Sequence, residues 1–204
     1  MISDKNAILR YKQFVDQHVS MNAIEWGLFK SRFSCTTHVK GEIIRCPGDV
    51  CRHLSFISQG IVRAYVIDEE GRDTTWSIYF NDANSEMTNV YVVDYDSFLH
   101  QTPSSLTFEV LEECHLISAR YEDIQYLYRR SKKAEMLGRK MAELAYSFVQ
   151  QLTLDNITKP AAQRYQEFIE KRPYLLDKVP QYHIATLLGI APQSLSRIKR
   201  ELSR

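Results

Sequence analysis

The chain lacks most of what marks a secreted, membrane-bound or metal-dependent protein. No run approaches the roughly 18 consecutive apolar residues of a membrane span. The opening MISDKNAILRYKQF has no apolar h-region, so no signal peptide is expected. There are four cysteines in 204 residues, Cys35, Cys46, Cys51 and Cys114, and no two form a C-x-x-C pair. That argues against a zinc or redox site and predicts free thiols in a reducing cytoplasm. No H-x-H pair occurs either, which removes a common metal-ligand pattern. Repeats and low-complexity tracts are absent, so the chain is not read as a repeat array. Net charge is also nearly absent, at +1, but its distribution is uneven. Residues 155–204 carry nine Lys/Arg against five Asp/Glu, a local +4, and the remainder stands at −3. A basic end on a mildly acidic body fits a nucleic-acid-binding terminus.

What is present falls into three textures. Ile8, Tyr11, Phe14 and Val15 recur on one face of a helix, and Ile24, Leu28 and Phe29 suggest another. From Phe33 to about Arg120, short Val/Ile/Tyr/Phe/Thr-rich runs alternate with turn signals. These turns fall at Lys40-Gly41, at Pro47 to Asp49, at Gly60 and at Asp68 to Gly71. Many short strands at this spacing predict a jelly roll, sandwich or barrel. From Tyr121 the period becomes helical. Leu137, Met141, Leu144 and Phe148 are spaced four, three and four apart, a seam on which two copies of the helix could pair. The other reading of that stripe is packing on the chain's own β domain. Asp155 to Thr158 reads as a hinge, with Thr158 an N-cap and Pro160 in the first turn of the next helix. That helix carries Ala162, Tyr165, Phe168 and Ile169 on one face, and Pro173 marks its end.

The last stretch, QYHIATLLGIAPQSLSRIKR, is the most informative. Ile184, Leu187 and Leu188 line one face of a first helix. Ala185 is small enough for a second helix to approach, and Gly189 can take the left-handed conformation of a tight corner. Ile190 is expected to be buried in the turn, and Leu195 and Ile198 supply the inner face of the second helix. These offsets are what a helix-turn-helix requires. Gln193, Ser196, Arg197 and Arg200 then share the outer face, where Gln and Arg can read base edges. Ser194, Ser196, Lys199 and Arg200 are placed to bond phosphates.

With that motif reached, the chain resembles the Crp/Fnr family of bacterial transcription regulators. KGEIIRCPGD, FISQGIVRAYVIDEEGR and TPSSLTFEVLEECHLISA resemble the family's cyclic-nucleotide-binding-like jelly roll. The helix around Leu137 to Leu152 resembles its dimer helix, and Gln181 to Arg200 its helix-turn-helix. The resemblance implies an α+β chain in three parts. These are a jelly-roll β sensor domain (1–130), a long dimerisation helix (131–154) and a winged helix-turn-helix DNA-binding domain (155–204). It implies a homodimer on double-stranded palindromic DNA, with RNA polymerase as a protein partner and a small-molecule effector in the sensor pocket. Gln193, Ser196 and Arg197 stand at the family's base-reading positions. Pro192 replaces an arginine found in some members.

The pocket departs from the family's cyclic-AMP pattern. There a Gly-Glu pair takes the ribose hydroxyl and an arginine pairs with the phosphate. Here the first motif reads NSEM, keeping Glu86 but placing Ser85 for glycine, and the second reads TPSSLT, with Ser104 where the arginine is expected; Glu86, Ser104 and Ser105 are the candidate pocket residues. Losing a bidentate cation removes charge-assisted bonds of about 1.5–3 kcal/mol each. Cyclic AMP is therefore disfavoured, and the effector is left open. Nothing resembles the family's N-terminal iron–sulfur cysteine cluster. Haem sensing stays open, because His18, His38, His53, His100 and His115 lie in the sensor half. The rival reading is a jelly-roll small-molecule-binding protein or cupin-like enzyme without DNA binding, using Asp94 and Asp96 on a strand as acid and base.

Overall fold

The computed structural model describes residues 4–85 and 88–202. Two helices come first, α1 (Asp4–His18) and α2 (Ala23–Lys30). Asn22 starts α2 as a capping box: its side chain accepts from the Ile24 and Glu25 amides while Glu25 accepts from the Asn22 amide. Six antiparallel strands follow: β1 (Ser34–His38), β2 (Ile43–Arg45), β3 (His53–Ile67), β4 (Asp73–Phe80), β5 (Tyr91–Val92) and β6 (Thr107–Arg120). The sheet order is β1-β6-β3-β4, with β2 also on β6 and β5 also on β3.

The sequence pattern predicts more and shorter strands than exist here. Gly60 does not separate two strands; it sits inside β3, and the runs around Phe108 and Leu116 are one strand, β6. The two long strands instead shift register against each other between Ile57 and Val62. Such bulges bend a strand without ending it, and they curve the sheet around an inner cluster that includes Ile57, Val62, Tyr79, Phe108, Val110 and Leu116. The result is the expected α+β chain with a sandwich-like antiparallel β domain.

A further difference lies between β5 and β6. Asp94 and Asp96 do not alternate on a strand. They open a short helix, α3 (Tyr95–His100), in which Asp94 is the N-cap and accepts from the Ser97 amide. The acid–base pairing expected of a shared strand face is therefore not formed. The reason is local: Asp followed three residues later by Ser, with a second acid in the first turn, is a helix start.

Helix α4 (Tyr121–Arg130) leads into α5 (Lys132–Thr158), a 27-residue helix capped by Ser131, whose hydroxyl accepts from the Ala134 amide. The hinge expected at Asp155 to Thr158 is helical. Gln151 and Lys159 both bond Asp155, and the Thr158 hydroxyl donates to the Leu154 carbonyl, so polar side chains close the last turns of α5. Thr158 thus ends α5, and the break falls at Lys159-Pro160. Helix α6 (Ala161–Lys171), a 3-10 turn (Pro173–Leu175), α7 (Gln181–Leu187) and α8 (Pro192–Leu202) complete the chain. Among the described residues this C-terminal part is entirely helical, so the strands of a wing are not among them.

Candidate nucleic-acid interface and sensor cleft

The corner between α7 and α8 forms as the sequence requires. Gly189 has φ of 62°, and the Ile190 amide closes the turn on the Ala185 carbonyl at 2.9 Å. Ala185 is fully buried, as is Ile184, and Ile190, Leu195 and Ile198 complete the inner face. These side chains pack with Tyr165 and Phe168 of α6, so two helices, α6 and α7, hold α8 in place.

The outer face of α8 is polar and open. Gln193, Ser196, Arg197, Lys199 and Arg200 are exposed and Ser194 is half-buried. The Ser196 hydroxyl donates to the Pro192 carbonyl. Arg197 has Glu201 at 3.9 Å, one turn along, too distant to immobilise an exposed guanidinium. Side chains i, i+3, i+4 and i+7 along a helix face one way, so Gln193, Ser196, Arg197 and Arg200 form a stripe that can enter a DNA major groove. Pro192 opens the helix, where its missing N–H costs nothing.

The predicted dimer seam divides along α5. Leu137 is buried and Met141 half-buried against the chain's own N-terminal cluster with Tyr11, Phe29 and Phe56. Leu144 is 53% exposed, and Phe148 is half-buried beside the Arg172 guanidinium. Beyond Leu144, Tyr146, Val149, Leu154 and Ile157 are exposed apolar side chains. Tyr146, Val149 and Ile157 fall on one side of the helix, a row that the seam spacing does not identify.

A cleft of about 1640 Å³ opens between α1, the β domain and α5. Ser85, Asp94, Ser104 and Ser105 contribute to its wall, so the structure brings Ser104 and Ser105 into one cleft. Glu86 lies outside the described residues. Ser104 is buried, and its hydroxyl donates to Asp94 at 2.6 Å while accepting from the Leu106 amide at 3.0 Å. Ser105 is exposed. The Asp94 carboxylate, which the sequence reading places on a strand, lines this cleft beside Ser104. Its Asp-x-x-Ser start is the signal by which it could have been found.

Two of the four thiols are buried away from solvent. Cys51 and Cys114 are fully buried, and burial pushes the Cys114 thiol up to about 12, far from a reactive thiolate. Among the described residues, no group of three or more His, Cys, Asp or Glu is placed to hold a metal ion. No helix among them is long and apolar enough to cross a membrane.

Residues 36–131 match the cyclic nucleotide-binding domain family. A search of curated proteins finds no match to the sequence. Among solved structures the chain is similar to the catabolite activator protein of Thermus thermophilus, at 18% identity over 90% of this chain and 84% of that one, with a TM-score of 0.54. It is also similar to a protein of Eubacterium rectale assigned to the crp/fnr family of transcriptional regulators, at 17% identity over 90% and 84%, TM-score 0.65. A third is CLP of Xanthomonas campestris, a c-di-GMP responsive global regulator, at 14% identity over 89% and 92%, TM-score 0.61. At such identities the likeness is one of fold.

Proposed function

We propose, for a chain whose residues 36–131 form a cyclic nucleotide-binding domain within the fold of the Crp/Fnr transcription regulators, a role as a sequence-specific DNA-binding regulator. It acts as a homodimer on a palindromic site. One observation carries the reading: α8 presents Gln193, Ser196, Arg197 and Arg200 to solvent over a buried Leu195 and Ile198, at a corner held by Gly189. Gln193 and Arg197 read base edges, while Ser194, Lys199 and Arg200 fix register on phosphates. Two chains pair through the exposed part of α5, from Leu144 to Ile157, which sets the separation of the two recognition helices. An effector shifts the population of competent dimers to the extent that it binds that state more tightly. The proposed division is a sensor over 1–130, a pairing helix from 131 to 154 and a DNA-binding part over 155–204, with the chain break at Lys159-Pro160 supporting a boundary close to the last of these.

Cyclic AMP is not the effector in this reading. The wall that would take its phosphate offers the Ser104 hydroxyl bonded to the Asp94 carboxylate, and a carboxylate repels a phosphate. CLP responds to c-di-GMP on a similar fold, so the fold does not dictate the effector. Micromolar cyclic-AMP affinity by calorimetry would overturn this part alone. The DNA-binding reading is tested by mobility shift on enriched duplexes. The wild type binds them, and Gln193→Ala and Arg197→Ala weaken binding most on the sites whose bases they read. Weakening that is equal on every duplex would contradict base reading.

A further inference from the structure

The contact between α7 and β4 joins the DNA-binding helices to the sensor sheet of the same chain. On the stretch opposite Tyr65 to Ile67, β4 pairs with β3 on one side only, so its outward amides need other partners. The Thr75 amide donates to Thr186 Oγ1 of α7 at 3.2 Å. The Thr186 hydroxyl also lies 2.9 Å from Thr75 Oγ1, and the Tyr182 hydroxyl donates to the Asp73 carbonyl at 3.0 Å. Behind these bonds stands Arg63 of β3, only 1% exposed. Its Nε donates to Thr75 Oγ1 at 2.9 Å, and its guanidinium pairs with Asp73 at 3.0 Å and approaches Glu109 at 3.7 Å. Ile78 and Phe80, on the same face of β4, share one buried cluster with Phe168, Leu175 and Ile184. A second tie links β6 to the C-terminal part: Glu112 accepts from the Tyr174 hydroxyl at 2.9 Å and from Lys178 at 2.6 Å.

The other face of β4 looks the opposite way. Trp76 and Tyr79 line the sensor cleft. One strand thus carries cleft-lining side chains on one face and the anchor of α7 on the other. Because α7 and α8 are locked at the Gly189 corner, whatever fixes α7 fixes the recognition helix.

We infer that the edge of β4 is the docking rail of α7, and that Thr75, Tyr182 and Thr186, oriented by the buried Arg63, are positioning residues that set the direction of the recognition helix from the sensor sheet. The inference rests on the DNA-binding reading and adds how the site is controlled. Displacement of β4 by an occupant of the cleft reaches α7 directly, besides any path along α5. The docked α8 keeps its outer face open, so docking organises DNA binding rather than blocking it.

The test uses the full chain without any effector. Amide hydrogen exchange at Thr75 reads docking in the absence of DNA. Thr186→Val removes its acceptor, and exchange there rises roughly two- to tenfold, the range of one net hydrogen bond. Thr186→Ser, which keeps the oxygen, restores protection, and the rest of β4 is unchanged in both variants. The double variant Tyr182→Phe/Thr186→Val then binds an enriched duplex roughly fivefold or more weakly, a typical coupling, because a loosened helix must be ordered on binding. Unchanged Thr75 exchange in Thr186→Val overturns the docking. Faster exchange with unchanged or tighter DNA binding overturns the positioning role. If the wild type binds no duplex, the regulator reading fails and the positioning role with it, while the exchange comparison still decides whether α7 is docked.

Discussion

The β domain and the C-terminal helices each turn on a glycine, and the two glycines are held for different reasons. Gly60 has φ of 90°, and a Cβ built on it would lie 2.2 Å from the Glu113 carbonyl and 2.6 Å from Cys114. There β3 crosses β6 so closely that no side chain fits. Gly189 has φ of 62° with nothing within 4 Å of the same construction. Its corner needs only the backbone conformation. The β sheet is therefore fixed by close packing between distant segments, whereas the helix-turn-helix is fixed by local chain geometry and by what docks against it.

The largest effect expected from this contrast is at Gly60. Gly60→Ala forces backbone against backbone and destabilises the chain by about 4 kcal/mol or more, read by denaturant unfolding. Loss below about 2 kcal/mol would mean that the two strands can separate cheaply. Arg197→Ala comes next. It costs about 1–3 kcal/mol of specific DNA binding and relaxes one base position, with little change in unfolding, because the side chain is exposed. Gly189→Ala is milder than Gly60→Ala. The strained φ costs about 1–2 kcal/mol, and no clash is added.

The smallest effect is a dependence on pH. His183 sits on α7 with its Nδ1 buried and unpartnered, facing Arg63 of β3 and Asp73 of β4, with Tyr182 beside it and Glu109 of β6 behind Arg63. Burial first, and then Arg63, hold its pKa below the ordinary 6.5, and Asp73 only partly opposes them. The docked histidine therefore binds a proton less readily than a released one. The contribution is fully present above 6.5 and is lost as pH falls from there through the lowered value. Thr75 exchange, corrected for intrinsic rates, should accelerate over that window, and His183→Gln should flatten the profile. A profile unchanged by the substitution would assign the dependence elsewhere, His18 and His53 being the other lowered histidines.

How much was legible in the sequence follows the same division. Helix α8 and its corner are readable because their signals are local. Small residue, glycine, buried pair and polar stripe all fall within twenty residues, and helical period alone assigns their faces. The β domain was readable as a class, but β3 and β6 were cut too short, because a bulge and a turn look alike when only Gly60 is seen. The cleft was least legible. The Asp94–Ser104 bond joins residues that the sequence placed in separate elements, and Glu86 lies outside the described residues. The α7–β4 docking had no sequence signal, since Thr75 and Thr186 are 111 residues apart and ordinary in composition. The seam on α5 was readable as a period but not as a partner. Leu137 and Met141 meet the chain's own domain, whereas Leu144 meets solvent.

Selection of bound duplexes from a random pool by the full chain, at low salt, tests the central claim most directly. The account predicts an enriched palindrome whose half-sites lie about 10–10.5 base pairs apart, bound by two chains, with enrichment lost in Arg197→Ala at one position of each half-site. Binding of every duplex alike, or by a single chain to an asymmetric site, would contradict it.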